Sequence, residues 1–265
     1  EISCSLVGSE MCIRDRVLND EIKDYWEGES YVYSDIIKKS LDDEGKNAWA
    51  DLVLGNAPKK EKLEILDVGT GPGFFPVLLG EKGHHVTGID ITENMIRRAA
   101  ENISAAGVKA DLAVMDCQNI QYHDESFDLV VCRDLTWTLA DPVKAYKEWT
   151  RVLRKGGVLL VFDACWYLHL FDEKRMKVFE EYNNNLRKKY GHGIFDGHKN
   201  TKKCDELSKK LFMSDKHRPY WDMEFLISLG YRRVFAEPRI DELVRDEKAQ
   251  EFYKLFPEFL VGGIK

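Results

Sequence analysis

The sequence predicts an open α/β fold in which helices cover both faces of a mostly parallel sheet. Three observations support this. Short apolar runs, such as residues 63–68 and 127–132, have the pattern of strands buried on both faces. Amphipathic stretches of helical length lie between these runs. The first run ends in a glycine-rich turn followed by a helix start, the arrangement with which such sheets hold nucleotide-like ligands at their carboxyl edge.

The glycine-rich turn contains Gly69, Gly71 and Gly73 in alternation, directly after Asp67-Val68. Glycine suits this place because the backbone must turn sharply and a ligand must approach it closely. A dinucleotide-binding loop would have its third glycine one position later, where Phe74 stands. The spacing therefore disfavours a nicotinamide cofactor and indicates a different nucleotide-like ligand.

Asp67 and the three glycines resemble the first motif of the class I S-adenosylmethionine (SAM) methyltransferases, and the order of elements from residue 17 to about 163 resembles their ubiquinone/menaquinone-biosynthesis-like (type 11) group. The resemblance implies a Rossmann-like, doubly wound sheet of seven strands with an antiparallel edge strand. It also implies that SAM is the cofactor. The residues that the resemblance assigns to SAM are Tyr33, Asp67, Gly69, Thr70, Gly71, Gly73, Asp90, Ile91, Met95, Asp116, Cys117 and Arg133.

Three of these residues have specific expected roles. In the family, a tyrosine at the position of Tyr33 covers the methionine end of SAM, whereas Tyr33 could equally pack its helix onto the sheet. Asp90 follows the second strand, where a carboxylate accepts hydrogen bonds from ribose hydroxyls, or else caps the next helix. Asp116 is expected at the adenine amino group. A nucleophilic role for Cys117 is disfavoured because no histidine partner is in sight.

Residues 164–218 form a long insertion between the fifth strand and the last helix, and we expect a helical cap over the active site there. Asp134 and His169 are the candidate catalytic residues. The unperturbed pKa of a histidine side chain suits a general base near neutral pH. The alternative is that His169 lies on the outer face of the cap helix and has no catalytic role. Trp137, Trp166 and Tyr167 suggest an apolar, planar acceptor.

The composition narrows the class of protein further. A net charge of −7 disfavours a nucleic-acid partner, because phosphate binding requires a basic face. No apolar run reaches membrane-spanning length. The scattered cysteines indicate reduced thiols and a cytoplasmic location. His192, His198 and Cys204 could be considered as metal ligands, but their spacing is unlike that of closed sites, so no metal is predicted. The sequence indicates no oligomeric state.

Residues 1–16 (EISCSLVGSEMCIRDR) are neither periodic nor a signal peptide, since the basic residues follow the apolar ones. We expect a non-native leader there, followed by one domain over residues 17–265 with the cap insertion at about 164–218. The predicted function is methyl transfer from SAM to a small-molecule acceptor. The alternatives are a non-catalytic SAM-binding module and, less favoured, an NAD-dependent oxidoreductase.

Overall fold

The computed structural model describes residues 2–42, 45–197 and 200–265, so His198 of the considered metal set lies outside the described residues. Its centre is a seven-stranded sheet in the order β3-β2-β1-β4-β5-β7-β6. The strands are β1 (Glu64–Val68), β2 (His85–Asp90), β3 (Asp111–Val114), β4 (Phe127–Arg133), β5 (Leu153–Asp163), β6 (Arg233–Glu237) and β7 (Phe259–Ile264). Strand β7 runs antiparallel to β5 and β6, and the remaining pairs are parallel. The predicted fold class is therefore confirmed.

Ten helices surround the sheet within the described residues. They are α1 (Ile2–Asp42), α2 (Lys46–Asn56), α3 (Phe74–Glu81), α4 (Glu93–Ala105), α5 (Pro142–Val152), α6 (Glu173–Tyr190), α7 (Thr201–Ser208), α8 (Tyr220–Ser228), α9 (Asp241–Val244) and α10 (Glu247–Tyr253). Two 3-10 turns occupy Thr136–Thr138 and Leu168–Phe171. None of the helices described is both long and apolar enough to cross a membrane.

The sheet is buried on both faces, which is why its central strands are apolar throughout. Ile65 and Leu66 are neighbours in β1 and point to opposite faces, where they join two separate hydrophobic clusters. The cluster around Leu66 includes Trp149 of α5, and the cluster around Ile65 includes Trp49 of α2. A register slip of one residue would exchange the two sets, so this packing fixes the strand register and the positions of the strand ends.

The N-terminal helices divide at a different place from the one expected. The sequence predicts two stretches that separate near Asp35, but α1 continues to Asp42 and α2 begins after Gly45. Residues 29–44 contain neither glycine nor proline, so nothing in that segment interrupts the helix. Residues 2–16 belong to α1, Glu1 lies outside the described residues, and the non-native origin of the segment stays a prediction.

The C-terminal third agrees with prediction in the insertion and departs from it afterwards. Residues 171–190 are predicted to be helical, and α6 confirms this. The segment from residue 239 to 255 is predicted to be charged and mostly at the surface. Most of its residues are exposed or half-buried, as predicted, but Ile240, Asp241 and Val244 are buried. The burial of Ile240 and Val244 packs α9 against β5, since both residues join the cluster that contains Phe162 of that strand.

Candidate active site

The glycine turn at the end of β1 has a conformation that only glycine adopts without strain. Gly69, Gly71 and Gly73 have φ values of +67°, +51° and +87°. A Cβ on Gly69 would lie 2.6 Å from Leu135, and a Cβ on Gly73 would lie 3.1 Å from the Cβ of Ala99. At Gly71 the nearest group is the Tyr33 ring, 3.6 Å away. The first and third glycines are thus required by packing, whereas the second faces the Tyr33 ring across a narrow space.

Three residues predicted to bind the cofactor, Asp67, Thr70 and Gly73, stabilise this turn and are not among the described wall residues of the cavity beside it. The Thr70 hydroxyl donates a 2.6 Å hydrogen bond to Oδ2 of Asp67, which is 2% exposed. The Thr70 amide donates to the carbonyl of Ile89 in β2. Burial raises the pKa of Asp67 to about 7. Asp67 and Thr70 therefore order the loop, and Gly73 supplies the third positive φ of the turn.

Asp90, at the end of β2, joins the glycine turn to the start of α4. Its Oδ2 accepts a hydrogen bond from the Gly71 amide at 3.0 Å. Its Oδ1 accepts from both the amide and the hydroxyl of Thr92, at 2.9 and 2.8 Å. Burial raises the pKa of this carboxyl despite these three donors. Asp90 does not cap α4, because Thr92 holds the N-cap position and Glu27 accepts the amides of Glu93 and Asn94; Asp90 instead orders Thr92 and lines the adjoining cavity.

The cavity beside Asp90, which we call the first cavity, is lined by most of the residues predicted to bind SAM. The predicted residues in its wall are Tyr33, Gly69, Gly71, Asp90, Ile91, Met95, Asp116, Cys117 and Arg133. Asp116 is held by hydrogen bonds from Asn19 and from both the amide and the side chain of Gln118. The structure therefore brings together residues from the ends of β1, β2, β3 and β4, as a shared ligand would require.

Helix α1 forms one wall of the first cavity. Its contributions lie three, four and seven residues apart along one helical face: Asn19, Ile22, Trp26 and Tyr33. Glu27 fixes the helix in place, because its carboxylate accepts the amides of Glu93 and Asn94 at the start of α4. The Trp26 indole also donates to the hydroxyl of Thr138. These contacts account for the position of Tyr33 over the glycine turn.

Arg133 is the last residue of β4 and Asp134 follows it, and each has one buried polar atom at this end of the strand. The Arg133 guanidinium lies 4.1 Å from the centre of the Phe74 ring, and its Nε is 3.5 Å from Oδ2 of Asp134. Asp134 has a φ of +54°, which an ordinary residue adopts only under constraint. Arg133 Nη1 and Asp134 Oδ1 are buried and have no hydrogen-bond partner among the described residues. Such atoms are costly unless a ligand satisfies them.

The carboxyl of Asp134 has a strongly altered acidity. Burial is the largest cause and raises its pKa to about 7, although the nearby Arg133 guanidinium opposes this. The neighbouring Glu258 and Asp163 carboxylates add to the increase. Near neutral pH the group can therefore accept or release a proton, which suits a general base.

A second cavity of about 550 Å³ adjoins the first. The two share Trp26, Tyr33, Arg133 and Asp134 as wall residues. The other aromatic side chains in its wall are Tyr25, Trp137, Trp166, Tyr167, Phe195, Phe252 and Tyr253. The three aromatic residues that suggested a planar acceptor are thus in this wall, and Asp134 lies where the two cavities meet.

A buried ionic network supports two of these aromatic walls. Asp163 accepts the Trp137 amide at 3.1 Å and the Trp166 indole at 2.9 Å. Arg218 pairs with Asp163 at 2.7 Å and with Asp222 at 2.6 Å, and all three side chains are at most 1% exposed. The network therefore holds both tryptophans against the end of β5.

His169 lies apart from both cavities. It is 5% exposed in the 3-10 turn before α6, with its ring centre 4.3 Å from that of Phe179. Burial lowers its pKa to about 4. His169 therefore does not lie on the outer face of the cap, which was the alternative prediction. The structure also does not place His169 beside Asp134. Within the described part of the chain, no cluster of three metal-ligating side chains occurs.

The sequence reasoning missed two groups of wall residues. Asn19 and Gln118 were not predicted, because neither belongs to a motif. The helical spacing from Asn19 to Tyr33 could have indicated Asn19. Arg245 and Tyr253 lie in the segment predicted to be surface. Arg245 pairs with the buried Glu258 at 3.0 and 3.1 Å. The aromatic pair Phe252-Tyr253 within this charged segment was the available signal.

Comparison with known proteins gives a consistent result. The family model described as "Methyltransferase domain" matches residues 66–161. Phosphoethanolamine N-methyltransferase 1 of Zea mays is 35% identical over 103 residues, which are 38% of this chain and 21% of that protein. A putative methyltransferase of Bacillus subtilis is 32% identical over 143 residues, 52% of this chain and 55% of that protein. The chain thus spans about a fifth of the plant relative's length and about half of the bacterial one's.

Solved structures agree on the fold. A putative SAM-dependent methyltransferase of Methanococcus maripaludis superposes with a TM-score of 0.58 over 90% of this chain and 93% of that one, at 16% identity. At this identity, the likeness concerns the fold alone.

Proposed function

We propose that this protein, whose chain belongs to the class I SAM-dependent methyltransferases of the type 11 group, transfers a methyl group from SAM to a small-molecule acceptor in the cytoplasm. One observation carries the proposal. Two buried polar atoms without partners among the described residues, Arg133 Nη1 and Asp134 Oδ1, lie where the first and second cavities meet. This is where a cofactor and an acceptor would come into contact.

The residues of the first cavity fit the chemical groups of SAM. The free N–H of Arg133 suits the carboxylate of the methionine end. The Tyr33 ring beside Gly71 suits the sulfonium, because a desolvated aromatic face attracts a cation by about 2 kcal/mol. Asp90 would accept from the ribose hydroxyls, and Asp116 would accept from the adenine amino group. When bound, SAM supplies a methyl group already activated by the positive sulfur.

The protein's own contribution is positioning, exclusion of water and acceptance of a proton. The aromatic walls of the second cavity hold the acceptor and remove its water. Asp134 Oδ1 has no donor of its own among the described residues, so it is available to accept a proton from an acceptor O–H or N–H. The raised pKa makes this carboxylate a stronger base than an ordinary aspartate.

Two measurements test the proposal. Calorimetry with S-adenosylhomocysteine should show binding to the unaltered protein and at least about tenfold weaker binding to Arg133→Met, a loss of ~1.4 kcal/mol. Arg232→Met removes an exposed arginine and serves as the control. Native mass spectrometry of the purified protein should reveal carried-over SAM or its demethylated product. Carried-over NAD, or no binding of S-adenosylhomocysteine by the folded protein, would refute the proposed function.

A further inference from the structure

We propose that the second cavity takes an aromatic acid: an acceptor with a planar ring that lies among the aromatic walls and a carboxylate that faces Lys39 and Lys248. The proposal rests on the proposed function, because the second cavity is an acceptor site only if the first one holds SAM. It adds the class of acceptor, which neither the family nor the relatives supply for this chain.

The size and walls of the cavity carry the first part of the proposal. Its volume of about 550 Å³ falls in the range of small-molecule sites, roughly 300–1,000 Å³. The Trp137 ring lies 4.9 Å from that of Tyr167 and 6.0 Å from that of Trp26. Tyr167 stacks on Phe195 at 5.9 Å with an angle of 11° between the rings. Rings in such contact present flat apolar surfaces, which favour a ligand with a planar ring.

The charges around the cavity carry the second part. Its wall includes the cations Lys39, Arg133, Arg245 and Lys248, but only the carboxylates Asp134 and Asp246. Asp246 caps α10, where it accepts the Ala249 amide at 2.7 Å, but this bond from a neutral group does not cancel its negative charge. Glu258 neutralises Arg245 from outside the cavity. The wall therefore keeps an excess of positive charge in a protein whose net charge is −7.

With Arg133 assigned to SAM and Arg245 paired with Glu258, Lys39 and Lys248 are the wall cations that remain to bind an acidic group of the acceptor. Neither Lys39 nor Lys248 has a salt bridge to a residue that the structure describes. The Lys248 ammonium lies 5.2 Å from the centre of the Tyr190 ring. Lys39 comes from α1 and Lys248 from α10, so they approach the cavity from separate elements. Aromatic walls alone would fit an amine as well, but these ammonium groups repel a cationic ligand and attract an anionic one.

The test compares three probes that share one ring system and differ in charge. Naphthalene-2-carboxylate, naphthalen-2-ylmethanol and naphthalen-2-ylmethylamine are titrated calorimetrically into the protein saturated with S-adenosylhomocysteine. We expect the carboxylate to bind about tenfold more tightly than the alcohol, and the amine most weakly. The Lys39→Ala/Lys248→Ala double variant should lose about fivefold in affinity for the carboxylate, as two exposed ion pairs would give, and bind the alcohol unchanged.

Lys38→Ala is the matched control, because Lys38 is the neighbouring exposed lysine on α1 and does not line the cavity. It should bind all three probes as the unaltered protein does. Equal binding of the alcohol and the carboxylate, tighter binding of the amine, or an unchanged carboxylate affinity in the double variant would overturn the proposal.

Failure of this proposal can be distinguished from failure of the proposed function. Binding of S-adenosylhomocysteine without a preference for the carboxylate overturns only the class of acceptor. Absence of S-adenosylhomocysteine binding overturns the proposed function, and with it the acceptor role of the cavity. The probes are then titrated into the ligand-free protein, where a preference for the carboxylate would identify an anion-binding cavity with a different purpose.

Discussion

Replacement of Arg218 by methionine tests whether the buried ionic network supports the site. The Arg218 side chain donates to Asp222 at 2.9 and 2.6 Å, to Asp163 at 2.7 Å and to the Thr136 hydroxyl at 2.6 Å. Methionine has a similar volume but no charge, so Asp163 and Asp222 would be left buried without their shared cation. Breaking a buried pair by removing one partner costs about 3–5 kcal/mol.

Urea unfolding followed by circular dichroism measures this loss. We expect a free energy of unfolding about 3–5 kcal/mol lower, seen as a lower midpoint at an unchanged slope. In a thermal scan this corresponds to a melting temperature lower by roughly 6–20 °C. Arg232→Met, at an exposed position, should change stability by no more than about 0.5 kcal/mol. A loss below about 1 kcal/mol in Arg218→Met would show that the two carboxylates do not depend on this cation, and the reasoning would be refuted.

Four further predictions concern the candidate active site. Asp90→Ala should bind SAM at least about tenfold more weakly by calorimetry, because it removes a carboxylate that orders Gly71 and faces the cavity; an unchanged affinity in the folded variant would contradict this. Gly71→Val should fold but no longer bind SAM, since its φ of +51° strains a branched residue and its side chain would fill the space before Tyr33; tight binding would show that the loop does not hold the cofactor. Asp134→Asn should reduce single-turnover methyl transfer by about 10²–10⁴ and leave SAM binding intact, whereas His169→Ala should transfer methyl groups at nearly the unaltered rate. Because the base must be ionised and the pKa of Asp134 is raised to about 7, the rate in the unaltered protein should fall as the pH falls through about 7; a rate independent of pH from 5 to 8 would contradict that role.

Local patterns in the sequence were sufficient to predict the sheet and the first cavity. Residues such as Asp90 and Asp116 follow predicted strands directly, and parallel strands bring their carboxyl ends to one edge, so the cluster follows from topology. The glycine spacing was informative because positive φ values restrict the choice of residue.

The acceptor side was much less predictable, because contacts distant in sequence determine it. His169 looked attractive by residue type alone, yet the packing of Phe179 and Phe256 against its ring decides where it lies. The altered acidity of Asp134 likewise depends on burial and on Glu258, more than a hundred residues away in the chain. No local pattern reveals that Arg245 and Tyr253 reach the second cavity, because α9 must first pack beneath α2.

Helix α1 gives the two cavities a common wall, since Trp26 and Tyr33 belong to both. A displacement of this helix therefore changes the walls of both cavities. Any change in affinity that one ligand causes through α1 is reciprocal, because the second ligand changes the affinity for the first by the same factor. The hydrogen bonds from the Glu93 and Asn94 amides to Glu27 hold α1 against α4, so such coupling would depend on them. Titrating one ligand at fixed concentrations of the other measures the coupling in the unaltered protein and the loss of coupling in Glu27→Gln.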